Sequence, residues 1–375
     1  MTSIEVLSTG LVYRNPHPNI RSLHAFFPSV IESQPGDVVV TFDRGSAMEN
    51  RDVRSFITRS RDGGETWTEP KIICEPVDPE GTVSTSVRMS RTNEGELLGL
   101  FTLFHRNSPE DGLANPETDG FVRTEFALSR SEDGGESWSP IEPISLPMEW
   151  SAFETCSPIL SIDSNRFLLP TATWKNWEGE STPGMKAIHF LSEDGGRIWS
   201  GPVEVMDDWS NGVAHWEQKQ TVLSDGRFLA VSWAYDFQNK MSLKNRFAFS
   251  KDRGESFDPF HESPLHGETC TPLCLEDGRV VMVYRRTDEK GLWAHLCEFK
   301  GDHWNPFENV PLWGTEKASY SSDSKNTFEH LAALKFGYPQ IVRLSDGDLF
   351  VVFWCVEDCV SNIRWIRFRL NRGGK

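Results

Sequence analysis

Basic residues are in short supply in this chain: 38 Lys and Arg stand against 55 Asp and Glu, a formal net charge of −17. A surface that acidic repels phosphodiester backbones and anionic headgroups, so neither nucleic acid nor a membrane surface is an expected partner. No apolar run approaches the roughly 18 residues that a bilayer span requires. Met1–Leu7 lacks the basic-then-apolar order of an export leader, so a cytoplasmic protein is expected, or a secreted one if a leader once preceded this chain. Cysteine is scarce and odd in number, at seven. Cys270 and Cys274, and Cys355 and Cys359, are spaced like weak metal pairs without a His at a useful offset. Buried thiols are therefore expected instead of a disulfide framework or a metal site. Also missing are a Gly-rich phosphate loop, a His-Glu-x-x-His helix, a Gly-x-Ser-x-Gly elbow and an EF-hand spacing, so no cofactor is implied. No helical 3.6-residue period persists anywhere in the sequence.

What is present is repetition. The pattern Ser-x-Asp-x-Gly-x-x-aromatic occurs from Ser60 to Trp67, Ser131 to Trp138, Ser192 to Trp199 and Ser250 to Phe257. Lys300-Gly301-Asp302-His303-Trp304 reads as an eroded fifth copy. Each copy suits a tight hairpin: the Asp carboxylate accepts backbone N–H groups, Gly supplies positive φ, and the aromatic ring pins the turn to its sheet.

A second series of turns interleaves with the first, at Pro35-Gly36-Asp37, Asn93-Glu94-Gly95, Asp163-Ser164-Asn165, Ser224-Asp225-Gly226, Glu276-Asp277-Gly278 and Ser345-Asp346-Gly347. β-rich runs such as Val38–Val40 and Leu349–Phe353 follow them. Six units result, predicting an all-β, six-bladed β-propeller with four-stranded antiparallel blades. The last unit has room for only three strands, so the segment near Ile4 to Tyr13 is expected to supply its fourth and close the ring. With no linker-like stretch, residues 1–375 are expected to form one domain.

Antiparallel order puts the start of each inner strand and the loop after the second strand at one end of the ring, away from the repeated hairpins. That end collects chemistry-bearing side chains. The first blade offers His24 and Phe27, with Asp43, Arg44, Glu49, Arg51, Asp52 and Arg54 in its loop. Arg88, His105 and Arg106 come from the second, and Glu154, Trp174 and Lys175 from the third. The fourth supplies His215, Trp216, Glu217, Lys219, Trp233, Tyr235 and Asp236. Glu268, Arg285 and Arg286 come from the fifth, and Tyr338, Gln340, Glu357 and Asp358 from the sixth. Carboxylates furnish acid and base groups and aromatic faces stack on sugar rings, so a carbohydrate partner is expected. Loop-end charges facing water are the plainer alternative for many of these residues.

The hairpin repeat is of the Asp-box (BNR) kind, and with six blades the chain resembles the sialidase (neuraminidase) superfamily over nearly its whole length. That resemblance implies an exo-glycoside hydrolase with a Tyr nucleophile, a Glu that activates it, an Asp acid/base and three Arg gripping a carboxylate. By position, Glu217, eight residues before Asp225, matches the Glu, and Tyr338, eight before Asp346, matches the nucleophile. The acid/base falls in Ala47–Val53, where Asp52 or Glu49 could serve. The arginines do not match: Phe27 and Trp233 stand in two of the three slots. Phe or Trp cannot replace a guanidinium fork, so the sugar need not be sialic acid, although Arg44, Arg88 or Arg285 could grip an anion elsewhere in the bowl.

Three readings follow. The first is a glycoside hydrolase acting on a terminal sugar; for a neutral one, Glu217 could pair with Glu154, Glu268 or Asp52, with Trp174, Trp216 and Trp233 as stacking platforms. The second is a polysaccharide lyase using His24, His105 or His215 with Tyr338. The third is a non-catalytic carbohydrate-binding propeller.

Overall fold

The structure, a computed structural model, describes residues 3–73, 81–315 and 333–371. Its strands form six antiparallel sheets arranged as the blades of a propeller. Blade 1 runs His24–Gln34, Asp37–Gly45, Arg54–Ser60 and Lys71–Ile72; blade 2 runs Val83–Arg91, Leu97–His105, Arg123–Ser131 and Glu142–Pro143. In blade 3 the inner strand is split into Phe153–Glu154 and Leu160–Ser161, followed by Phe167–Thr173, Ala187–Ser192 and Ser200–Met206. Blade 4 comprises Val213–Val222, Phe228–Asp236, Arg246–Ser250 and His261–Glu262, with a short Met241–Ser242 piece on its second strand. Blade 5 comprises Gly267–Cys274, Val280–Arg286, Leu292–Lys300 and His303–Trp313.

Blade 6 is assembled from both ends of the chain. Phe336–Arg343, Leu349–Glu357 and Val360–Leu370 are followed in the sheet by Ile4–Tyr13, paired from Ile4 with Leu370 to Tyr13 with Ile363. The expected closure by the N-terminal segment is what the fold contains. It removes two open strand edges at once.

The second strand of each blade is covered on both faces by neighbouring sheets, which is why it reads as a near-continuous apolar run instead of an alternating one. Every residue of Phe167–Thr173 is buried, as are the first seven of Leu349–Glu357. Apolar layers therefore lie between blades, as in the cluster that packs Val40, Phe42 and Phe56 against Phe350, Trp354 and Trp365.

The repeated hairpins form as their residues dictate. In the first, the Asp62 carboxylate accepts from the Ser60 hydroxyl and the Thr66 amide, Ser60 Oγ accepts from Gly64 N–H, and Trp67 Nε1 donates to Gly64 O at 3.0 Å. The four later hairpins are also tied to the preceding blade by an arginine: Arg59 donates to Gly134 O, Arg130 to Gly195 O, Arg166 to Arg253 O and Arg227 to Gly301 O. The last of these is the eroded copy, which keeps the stapling contact.

Candidate active site

Four of the innermost strands carry a β-bulge at the same height. Phe27-Pro28, Glu217-Gln218, Thr269-Cys270 and Tyr338-Pro339 each oppose a single partner residue. The first residue of each pair has positive φ, at 48°, 49°, 52° and 57°. Such a conformation is unfavourable for aromatic or β-branched side chains and concentrates at functional sites. Here it turns one side chain per blade toward the propeller centre. A cavity of about 140 Å³ opens there, lined among others by Phe27, Ser86, Glu154, Cys156, Glu217 and Tyr338.

Two carboxyl groups from adjacent blades meet in this cavity. Glu217 N–H donates to Glu154 Oε2 at 2.7 Å, and Cys156 Sγ–H donates to Glu154 Oε1 at 3.2 Å. One carboxylate oxygen of each acid and the Cys156 sulfur all lie within 4.8 Å of one another. Loss of water, and then the charge of Glu217, push Glu154 up to about 8, the behaviour of two acids sharing one proton. Burial raises the Cys156 thiol well above its ordinary value, leaving it protonated. On the other side, Thr269 Oγ1 donates to Glu217 Oε2 at 2.5 Å.

Two buried cations complete the centre. Lys219 Nζ donates to Thr271 Oγ1 at 2.9 Å and to Pro339 O at 3.1 Å, and lies 4.5 Å from the centre of the Tyr338 ring. Burial lowers it to about 8. Arg88 Nε donates to Tyr338 Oη at 2.6 Å, its NH1 donates to Ser86 Oγ at 2.8 Å, and Asp43 lies 3.9 Å away. Asp43 accepts from Ser55 and Ser86 but is pushed up to about 6 by burial. The Tyr338 hydroxyl donates to Thr155 O at 2.8 Å. Burial raises the phenol well above its ordinary value in spite of Arg88, so it is neutral and its proton rests on a backbone carbonyl.

Around the cavity, Trp174 stacks on Phe121 at 5.2 Å and on Trp216 at 5.2 Å. Glu49 also lines the cavity, but its carboxylate accepts from the amides of Leu113 and Ala114 at 2.8 and 3.2 Å, pinning the blade 2 loop over the centre. Burial raises its pKa.

Of the residues singled out from sequence, the cavity thus brings together Phe27, Asp43, Glu49, Arg88, Glu154, Trp174, Glu217 and Tyr338, with Lys219 beside the Tyr338 ring. The others are placed elsewhere. Asp52 is exposed and accepts from Ser46 N–H, closing a turn in its own loop. Arg44 lies 3.7 Å over the Phe56 ring, facing Tyr13 of blade 6. His24 accepts from Ser361 N–H, between blades 1 and 6. His215 is fully buried against Phe260, and burial lowers it to about 3. Trp233 is buried edge-on to Trp216, with its indole N–H on Ser242. Glu268 and Arg285 form a buried pair, Arg285 Nε and Nη2 both donating to Glu268 Oε2 at 2.9 and 2.6 Å, that joins Ser242 to the Phe336 carbonyl. No histidine is among the described residues lining the cavity. In one of the two expected arginine slots Phe27 meets Tyr338 edge-on at 5.3 Å.

Cys156, Thr155, Thr269 and Phe121 were not among the candidates. A signal for two of them exists: counting back nine residues from the turn positions Gly36, Gly95, Asn165, Gly226, Gly278 and Gly347 gives Phe27, Ser86, Cys156, Glu217, Thr269 and Tyr338, one per blade. Five of these six line the cavity, and the sixth, Thr269, hydrogen-bonds Glu217.

No family model matches the chain, and no curated protein does. Solved structures do match. A protein of unknown function from Dyadobacter fermentans superposes with a TM-score of 0.76 at 20% identity, over 99% of this chain and 100% of that one. The NanB sialidase of Streptococcus pneumoniae gives 0.66 at 13% identity, over 96% and 70%. A Penicillium chrysogenum α-L-arabinanase complexed with arabinobiose gives 0.66 at 15% identity, over 97% and 98%. What these chains share with this one is the six-bladed fold, a fold that includes glycoside hydrolases.

Proposed function

We propose that the chain is a glycoside hydrolase that removes a terminal sugar through the Glu154–Glu217 pair. The observation that carries this reading is the close approach of two carboxyl groups, one of them protonated at neutral pH, inside a cavity walled by aromatic rings. Glu154 donates its proton to the glycosidic oxygen as the C–O bond breaks, the bonding pair leaving with that oxygen. A Glu217 oxygen then bonds the anomeric carbon. Water attacks the resulting ester, giving its proton back to Glu154 and releasing Glu217. Carboxyl groups this close favour the retaining course. Trp174, stacked on Phe121 and Trp216, forms part of the cavity wall.

Tyr338, the nucleophile that the sialidase resemblance implies, is in this reading an anchor for Arg88, because its proton rests on the Thr155 carbonyl and not on a carboxylate. An aromatic ring at Phe27 likewise argues for a substrate other than sialic acid. The lyase alternative loses support because no imidazole lines the cavity among the described residues.

The test is a screen of chromogenic glycosides, sialosides included, with the parent and with Glu154→Gln, Glu217→Gln and Tyr338→Phe. Turnover lost in both Gln variants and kept in Tyr338→Phe supports the pair. Undiminished turnover in either Gln variant removes it, and binding without any turnover would favour the non-catalytic alternative.

A further inference from the structure

On the hydrolase reading, we infer that the sugar held in this cavity is uncharged and carries hydrogen or methyl where common hexoses carry a hydroxymethyl: the pentose and 6-deoxyhexose class. Three observations converge on it.

The first is charge. Arg88 and Lys219 are the cations at the centre, and Asp43 and Glu217 face them while Glu154 keeps its proton. The positive charge is matched within the protein. Arg88 is engaged through Nε and NH1 with Tyr338, Ser86 and the Phe27 and Val87 carbonyls. A sugar carboxylate would enter beside two acids with no guanidinium fork turned toward it.

The second is the wall. Phe27, Met48, Val53, Phe104, Leu113 and Phe121 line the cavity. Most of its polar side chains are already paired with protein: Asp43 with Ser55 and Ser86, Glu49 with two amides. A hydroxymethyl oxygen pressed against those apolar groups loses its water without gaining a partner, whereas a hydrogen or methyl loses nothing.

The third is size. A cavity of about 140 Å³ is well below the roughly 300 Å³ at which drug-sized ligand pockets begin. It suits one small ring.

The test is hydrolysis of a panel of p-nitrophenyl glycosides of pentoses, 6-deoxyhexoses, hexoses, hexuronic acids and sialic acid by the parent, Glu154→Gln and Met48→Gln, with the free sugars run as thermal-shift ligands. A pentoside or 6-deoxyhexoside is expected to exceed the matching hexoside by about 10- to 100-fold in kcat/KM. Met48→Gln, near-isosteric and able to donate to a hydroxymethyl, is expected to cut that ratio about tenfold. Activity led by a hexoside, hexuronide or sialoside and lost in Glu154→Gln would overturn the substrate class and leave the hydrolase reading standing. No turnover of any member, with pentoses or 6-deoxyhexoses alone raising the melting temperature, would do the reverse. Thermal shifts led by hexoses or acidic sugars would overturn the class by a route independent of turnover.

Discussion

The backbone N–H of Glu217 donates to the carboxyl of Glu154 at 2.7 Å, across the junction of blades 3 and 4. Two interruptions of regular pairing make this contact. The blade 4 inner strand bulges at Glu217, and the blade 3 inner strand breaks after Glu154. In an unbroken sheet neither side chain would turn to the axis. The irregular backbone and the raised Glu154 therefore have one origin.

Replacing Glu154 or Glu217 by Gln keeps shape and removes the acid or the nucleophile. Each substitution is expected to lower turnover about 10²- to 10⁴-fold, read as kcat/KM on whichever chromogenic glycoside the parent hydrolyses. Tyr338→Phe is expected to keep turnover within about tenfold while lowering the melting temperature, because Arg88 Nε loses its partner in a buried setting. A Tyr338→Phe variant as inactive as the Gln variants would return the nucleophile to the phenol.

Stability should fall as pH rises from 6.5 to 8. Glu154 titrates near 8 when folded against an ordinary 4.5, so the folded chain keeps a proton that the unfolded chain releases. Its contribution is complete below about 4.5 and is lost as pH climbs toward 8. His189, His215 and His295 are lowered to about 4, 3 and 4 and act in the opposite sense, but only below their unfolded value near 6.5. Lys219, lowered to about 8, acts only above that pH. Within the window the melting temperature should drop about 1–3 °C per pH unit, and the slope should flatten in Glu154→Gln.

The Glu268–Arg285 pair is buried on both sides, with 1% and 3% side-chain exposure. Breaking it with Glu268→Gln should cost about 3–5 kcal/mol, whereas Glu268→Met with Arg285→Met should recover much of that loss. Chemical denaturation measures both. Because neither residue lines the cavity, sugar binding by the folded fraction should persist in both variants; its loss would place the pair in the site after all.

The architecture was legible because it rests on local, repeated signals. Turn residues recur at fixed places, and the apolar runs between them are long enough for strands packed on both faces. Even the Ile4–Tyr13 closure follows from the shortfall in the last unit. The site was legible where it obeys the same count: nine residues back from the turn glycine leads to Glu217 and Tyr338, and equally to Cys156 and Thr269, which resemblance to a catalytic pattern gave no reason to consider. Asp52, His24 and Arg44 show the opposite case. Each belongs to the correct end of a blade, but whether a side chain turns to the axis or to a neighbouring blade depends on bulges, and residue type does not announce those. Arg285 was drawn to Glu268 by its direct cross-strand pairing, a partner closer than any substrate.

The state of Glu154 can be measured without a substrate, by recording infrared difference spectra of the parent minus Glu154→Gln at pH 7. A protonated carboxylic acid C=O band that disappears on titration through about pH 8 is the predicted result. A difference spectrum showing only ionised carboxylate at pH 7 would contradict the shared proton, and with it the acid on which the proposed hydrolysis depends.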